Sequence, residues 1–136
     1  METIMATTEY LGGLRTKGVH LKSGNTISTD APTDNNGKGE AFSPTDLVGA
    51  ALSSCMMTIM GMLAEREGID LKGLRSEVVK VMSANPRKIA EIKINFSHPN
   101  LIATDIQKQK LINAARACPV ALSLSENLKQ TISFDF

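Results

Sequence analysis

The segment from Pro44 to about Glu67 constrains this chain more than any other. It opens with Ser43 as an N-cap, Pro44 at the first helical position and Asp46 three residues after the cap, and Gly68 closes it. Within it Leu47-Val48-Gly49-Ala50-Ala51-Leu52 and Cys55-Met56-Met57 leave the first four turns apolar on nearly every side. A helix of that kind must be buried from more than one direction. A chain of 136 residues has only a modest sheet and one other long helix with which to cover it. The pattern therefore predicts an intertwined homodimer with this helix between the subunits. Met56, Met57, Met60 and Met62 suit such packing as adaptable apolar groups, in preference to a soft-metal site.

The flanking sequence predicts the cover. Short β-prone pieces from Thr7 to Thr29, separated by Gly12-Gly13 and Ser23-Gly24-Asn25, read as an N-terminal hairpin or three-stranded meander. Asp30 to Glu40 is rich in Asp, Asn, Gly and Pro and reads as a loop before the helix, a candidate site wall. Leu74–Ser83 and Ile89–Ser97 read as two strands around Asn85-Pro86, the second alternating Ala90, Ile92, Ile94 and Phe96 against polar residues. Ala103–Ala117 reads as an amphipathic helix capped by Thr104, with Ile106, Leu111, Ile112 and Ala115 inward. Pro119 starts a short helix to about Glu126, and Ile132, Phe134 and Phe136 alternate in a last strand. The expected class is α+β, one domain over 1–136.

Bulk properties exclude some functions. With 15 basic and 14 acidic residues and 4% aromatics, the chain has neither the charge footprint nor the stacking platform of a nucleic-acid binder. The N-terminus lacks a signal-peptide pattern, and Ser53, Ser54 and Thr58 interrupt the apolar stretch, so the expectation is a cytoplasmic protein without a membrane span. His20, Cys55, His98 and Cys118 show no paired metal-ligand spacing, and no nucleotide or serine-hydrolase motif is present, so no metal or cofactor is expected.

The two cysteines carry the chemistry. In a reducing compartment they are expected to be free or redox-cycling rather than a permanent bridge. Ala51, Leu52 and Ile59 wall Cys55 within one turn, and an apolar wall raises a thiol pKa, so a reactive Cys55 needs a cation. Arg15, His20 and Lys22 are candidates, and Arg116 lies close in sequence to Cys118. Cys118 precedes Pro119 at a helix N-cap, where backbone N–H groups favour a thiolate, so it is expected to be the better leaving group or resolving thiol. Either cysteine alone could be a small buried hydrophobe, and Asp46 is adequately explained as a cap.

The run Ser43-Pro44-Thr45-Asp46-Leu47-Val48-Gly49-Ala50-Ala51-Leu52-Ser53-Ser54-Cys55 resembles the long helix leading to the reactive cysteine in the OsmC/Ohr family of organic hydroperoxide-reducing proteins. Ala117-Cys118-Pro119-Val120, followed by a terminal β segment, is a second point of likeness. The resemblance implies a homodimer and a thiol peroxidase that needs no metal, haem or flavin. Cys55 would attack an organic hydroperoxide, Cys118 would resolve the sulfenic acid as a disulfide, and an external dithiol, such as a lipoyl protein, would reduce it. Ala51, Leu52 and Ile59 would form the substrate pocket, with Arg15, His20 and Asp46 as further candidate site residues. The family pairs an arginine with a glutamate early in this helix, where this chain has Thr45, so it is similar to a divergent branch. The alternative reading is a non-catalytic relative that binds a small apolar ligand or senses redox state at the dimer interface.

Overall fold

The computed structural model describes residues 2–136, in two compact units, one ending at Leu47 and one beginning at Val48. In the first, β1 (Ala6–Gly12), β2 (Arg15–His20) and β3 (Thr26–Asp30) form an antiparallel meander in the order β1-β2-β3. Both turns follow from the expected glycines: Gly12 and Gly13 carry positive φ at the first, and Gly24 at the second, where its N–H donates to His20 O at 2.7 Å. The buried groups of this unit are polar, namely Thr29, Asp30 and Ser43, while Tyr10, Leu11, Ile27 and Phe42 remain exposed.

Helix α1 (Pro44–Glu67) begins as the sequence predicts. Asp46 N–H donates to Ser43 Oγ and Ser43 N–H donates to Asp46 Oδ2, each at 3.0 Å, which satisfies two of the free donors at the helix start. It ends at Gly68, whose φ of 69° is left-handed, and Ile69 N–H returns to Ala64 O at 2.9 Å with both side chains buried.

The second unit holds a sheet in the order β4-β5-β6, built from β4 (Arg75–Ser83), β5 (Lys88–Ser97) and β6 (Lys129–Asp135). β4 and β5 are antiparallel neighbours, whereas β5 and β6 run parallel. A parallel pair needs a long crossover, and α2 (Asp105–Arg116) and α3 (Pro119–Ser123) supply it. Ile92, Ile94 and Phe96 of β5 meet Leu52, Met56, Met60 and Ala64 of α1 and Leu111 and Ala115 of α2 in one core. The helix sits close to the sheet because Gly49 has no Cβ; one placed there would lie 3.2 Å from Val78 Cγ1. Ser53 and Ser76 share a 2.6 Å hydrogen bond across the same contact. Phe96 and Phe134 stack with centroids 5.4 Å apart.

Within one chain α1 buries one stripe, Gly49, Leu52, Ser53, Met56, Met60 and Ala64, while Met62 is 53% exposed. The sheet and α2 lie along one side only. Ile106 does not point inward but is 72% exposed; five residues of α-helix turn it about 140° away from Leu111. The helix after Pro119 stops at Ser123 rather than near Glu126, because Ser125 redirects the chain, accepting from Asn127 N–H through Oγ and from Leu128 N–H through its carbonyl.

These placements predict opposite responses in α2. Leu111→Ala should lower stability by about 2–5 kcal/mol, whereas Ile106→Ala should change it by about 0.5 kcal/mol or less. Urea midpoints of the two variants against the parent check this.

Candidate functional site, the thiol pair

Cys118 has the backbone of an N-cap, φ −68° and ψ 147°, with Pro119 at the start of α3. Its Sγ accepts a hydrogen bond from Ala121 N–H at 3.3 Å, as the cap reading predicts. The thiol nevertheless titrates in the opposite direction from that reading. Burial pushes its pKa up, since the residue has no exposed surface among the core side chains. Hydrogen bonds from Ala121 and Val120 N–H pull it down, and the neighbouring Cys55, as hydrogen-bond partner and as charge, pushes it up again. The expected better leaving group is thus a thiol that holds its proton, because loss of water outweighs two backbone donors.

Cys55 lies on α1, half-buried, and packs against the same core. The fold therefore brings the two thiols together from α1 and the crossover, and both are free. Cys55 is the more accessible residue of the two. Of its predicted pocket walls, Leu52 is fully buried in the core, Ile59 is half-buried and Ala51 is exposed. Asp46 serves the cap of α1. His20 is the exposed last residue of β2, and its Nδ1 lies 2.6 Å from Ser23 Oγ.

Arg15 is held within the N-terminal unit by a residue the sequence reading passed over. Its Nε and Nη2 donate to the two carboxylate oxygens of Asp30, each at 2.7 Å, and Glu40 Oε1 lies 3.9 Å from Nη2. Asp30 is 1% exposed and also accepts from Glu40 N–H at 3.0 Å. The Arg15 hydrogen bond is the chief cause that holds the Asp30 carboxyl below the usual carboxylate range, and burial opposes it. The signal was present: a meander folded at Ser23-Gly24-Asn25 puts Asp30 directly across from Arg15 in the β2–β3 register. Assigning Asp30 to the following loop hid it.

Among the described residues no cluster of three His, Cys, Asp or Glu side chains could hold a metal ion. By length and composition α1 could cross a membrane, and the residues it buries in this fold pack as those of a core helix do.

The OsmC-like protein family matches residues 37–133, which include both cysteines. The chain belongs to the OsmC family. A solved structure of a proposed osmotic stress induced and detoxification response protein from Psychrobacter arcticus 273-4 is 43% identical. The match covers 98% of this OsmC-like chain and 97% of that one, with a TM-score of 0.94. An OsmC-like protein from Mycoplasma pneumoniae shares the fold at 17% identity and TM-score 0.79, covering 98% of this chain and 97% of its own. So does an organic hydroperoxide resistance protein OsmC from Legionella pneumophila, at 16% identity and TM-score 0.72, with both chains wholly covered. No curated protein sequence matches.

The Arg15–Asp30 pair generates a pH test. A carboxyl whose folded pKa is lowered adds stability that is complete above its unfolded pKa and is lost as pH falls through the folded value. Arg15→Ala should therefore lower the melting temperature at neutral pH by leaving a buried carboxylate unpaired. The gap to the parent should close on acidification below the ordinary carboxylate range. Thermal scans from pH 7 to pH 2 measure it, and a gap independent of pH would rule out the pair as its source.

Proposed function

We propose that this protein reduces organic hydroperoxides to alcohols with a two-thiol cycle, as part of a defence against oxidative stress. The observation that carries the reading is the meeting of Cys55 and Cys118, a half-buried cysteine beside a wholly buried one. Membership of the OsmC family supports it, as do structural relatives named for organic hydroperoxide resistance.

In the proposed cycle the Cys55 thiolate attacks the terminal oxygen of ROOH. The O–O bond breaks, ROH leaves after taking a proton, and Cys55 becomes a sulfenic acid. Cys118, as thiolate, then attacks that sulfur; hydroxide departs and is protonated to water, and a disulfide closes. Two electrons from an external dithiol, for which a lipoyl protein is one candidate, restore both thiols. The apolar side chains near Cys55 favour alkyl peroxides over hydrogen peroxide. The working unit in this proposal is a homodimer, because the chain leaves one face of α1 uncovered, including Met62.

Purified protein with a dithiol should consume cumene hydroperoxide. Cys55→Ser should abolish the reaction, while Cys118→Ser should stop it after one equivalent per site. Parent protein that consumes no peroxide would favour the ligand-binding reading instead.

The raised pKa of Cys118 sets a pH dependence on the second step. Below that pKa its thiolate fraction grows about tenfold per pH unit. Disulfide closure should accelerate accordingly from pH 6 to pH 8, once the sulfenic acid has formed. Rapid acid quench and peptide mass mapping resolve the two species, and a rate flat over this range would contradict the assigned nucleophile.

The dimer has its own measurement. Light scattering in dilute solution should return twice the chain mass, and a stable monomer with native circular dichroism would remove the argument from α1.

A further inference from the structure

We propose that Gln130 is the positioning residue of the second thiol: through Ala121 it holds in place the backbone N–H that donates to Cys118 Sγ, and so sets how readily that sulfur closes a disulfide. The proposal rests on the pairing of Cys55 with Cys118 in the reading above and does not depend on peroxide turnover.

Gln130 breaks the pattern of its strand. On β6 the residues that lie beside the buried Ile92, Ile94 and Phe96 of β5 are Gln130, Ile132 and Phe134. The first of these is polar, and a half-buried amide in an apolar row is costly unless it is hydrogen-bonded. Its partner is the carbonyl of Ala121, to which Nε2 donates at 3.0 Å. Helix α3 has only five residues, too few for its internal bonds to fix its place, so contacts with its surroundings must do so. The Gln130 amide is such a contact, joining α3 to the sheet.

The tether reaches the sulfur in two steps. Ala121 accepts from Gln130 through its carbonyl and donates to Cys118 Sγ through its N–H, at 3.3 Å. Burial and the neighbouring Cys55 push the Cys118 thiol up, whereas the N–H groups of Ala121 and Val120 pull it down. No charged side chain is among the groups that act on it. The backbone donors are therefore what favours the thiolate, and Gln130 holds the residue that carries one of them. Without that tether the Ala121 N–H is free to turn from the sulfur, and Cys118 keeps its proton more firmly. Cys55, placed by α1, takes no part in this chain of bonds.

Gln130→Met keeps the length of the side chain and removes its donor. Full-length protein is oxidised with excess diamide, which reads closure without any peroxide. The Cys55 thiolate adds to the N=N bond; the Cys118 thiolate then attacks Cys55 Sγ and expels the reduced diamide, which takes a proton. Acid quench and peptide mass mapping should show closure at pH 7 slowed about two- to tenfold by Gln130→Met, the worth of one hydrogen bond. In the Cys55→Ser background, the Cβ resonance of Cys118 should titrate at higher pH once Gln130→Met is added.

A residue that only held the fold together would lower the melting temperature and leave that titration where it was. Such a result, or closure at the parent rate, overturns the proposal. Parent protein in which diamide closes no Cys55–Cys118 bridge overturns it together with the pairing. Closure that depends on Gln130 in a protein that consumes no hydroperoxide leaves the proposal standing while the peroxidase reading falls. Where Gln130→Met folds poorly, Gln130→Glu serves in its place. Its carboxylate fills the same space, has no hydrogen to give Ala121 O at neutral pH, and should slow closure at least as much.

Discussion

The fit of one stripe of α1 onto β5 is the contact on which the rest of the second unit depends. Leu52, Met56, Met60 and Ala64 recur every four residues, and Ile92, Ile94 and Phe96 recur every two. The two periods can share one surface only if the helix comes close enough to the sheet. Gly49 allows that approach at Val78, and the Ser53–Ser76 hydrogen bond keeps its polar atoms paired there. Cys55 follows as a consequence of helical phase, adjoining the buried stripe but half open. The parallel β5–β6 pairing forces the chain across the same core, and this crossover delivers Cys118. Neither cysteine is placed by its own chemistry.

Cys118 shows how local and tertiary effects compete. Its backbone is that of a helix cap, and its sulfur accepts the hydrogen bond that such a cap offers. Dehydration in the core acts on the same sulfur and wins. The Arg15–Asp30 pair is the converse case. Asp30 is buried as deeply, yet a guanidinium meeting both of its oxygens keeps the charge. The difference is a charged partner at hydrogen-bond distance, which Asp30 has and Cys118 lacks.

These contrasts explain which parts of the chain were legible in its sequence. Caps, turns and periodic strands are local, so Ser43, Thr104, Cys118 and Gly68 could be placed from neighbouring residues alone. The capping box at Thr104 and Gln107 is of this kind. Ile106 was misplaced because an amphipathic helix with several apolar residues has more than one plausible inward face, and only the position of Leu111 against the sheet selects it. The direction of the Cys118 shift was illegible for a related reason: dehydration depends on every element that packs around the sulfur, and α1 and β5 are distant in sequence. Asp30 was missed through a boundary error of one residue, which moved it from a paired strand into a loop.

The path of the chain between the two sulfurs has a mechanical consequence. Cys55 lies in α1, and β4, β5 and α2 all intervene before Cys118. A covalent bond between them would enclose most of the second unit in a single loop. Closing a loop of this size removes denatured-chain entropy equivalent to roughly 4 kcal/mol, before any strain is counted. The oxidised chain would then be the stiffer of two materials made from one sequence, and each reduction would return the protein to its softer form.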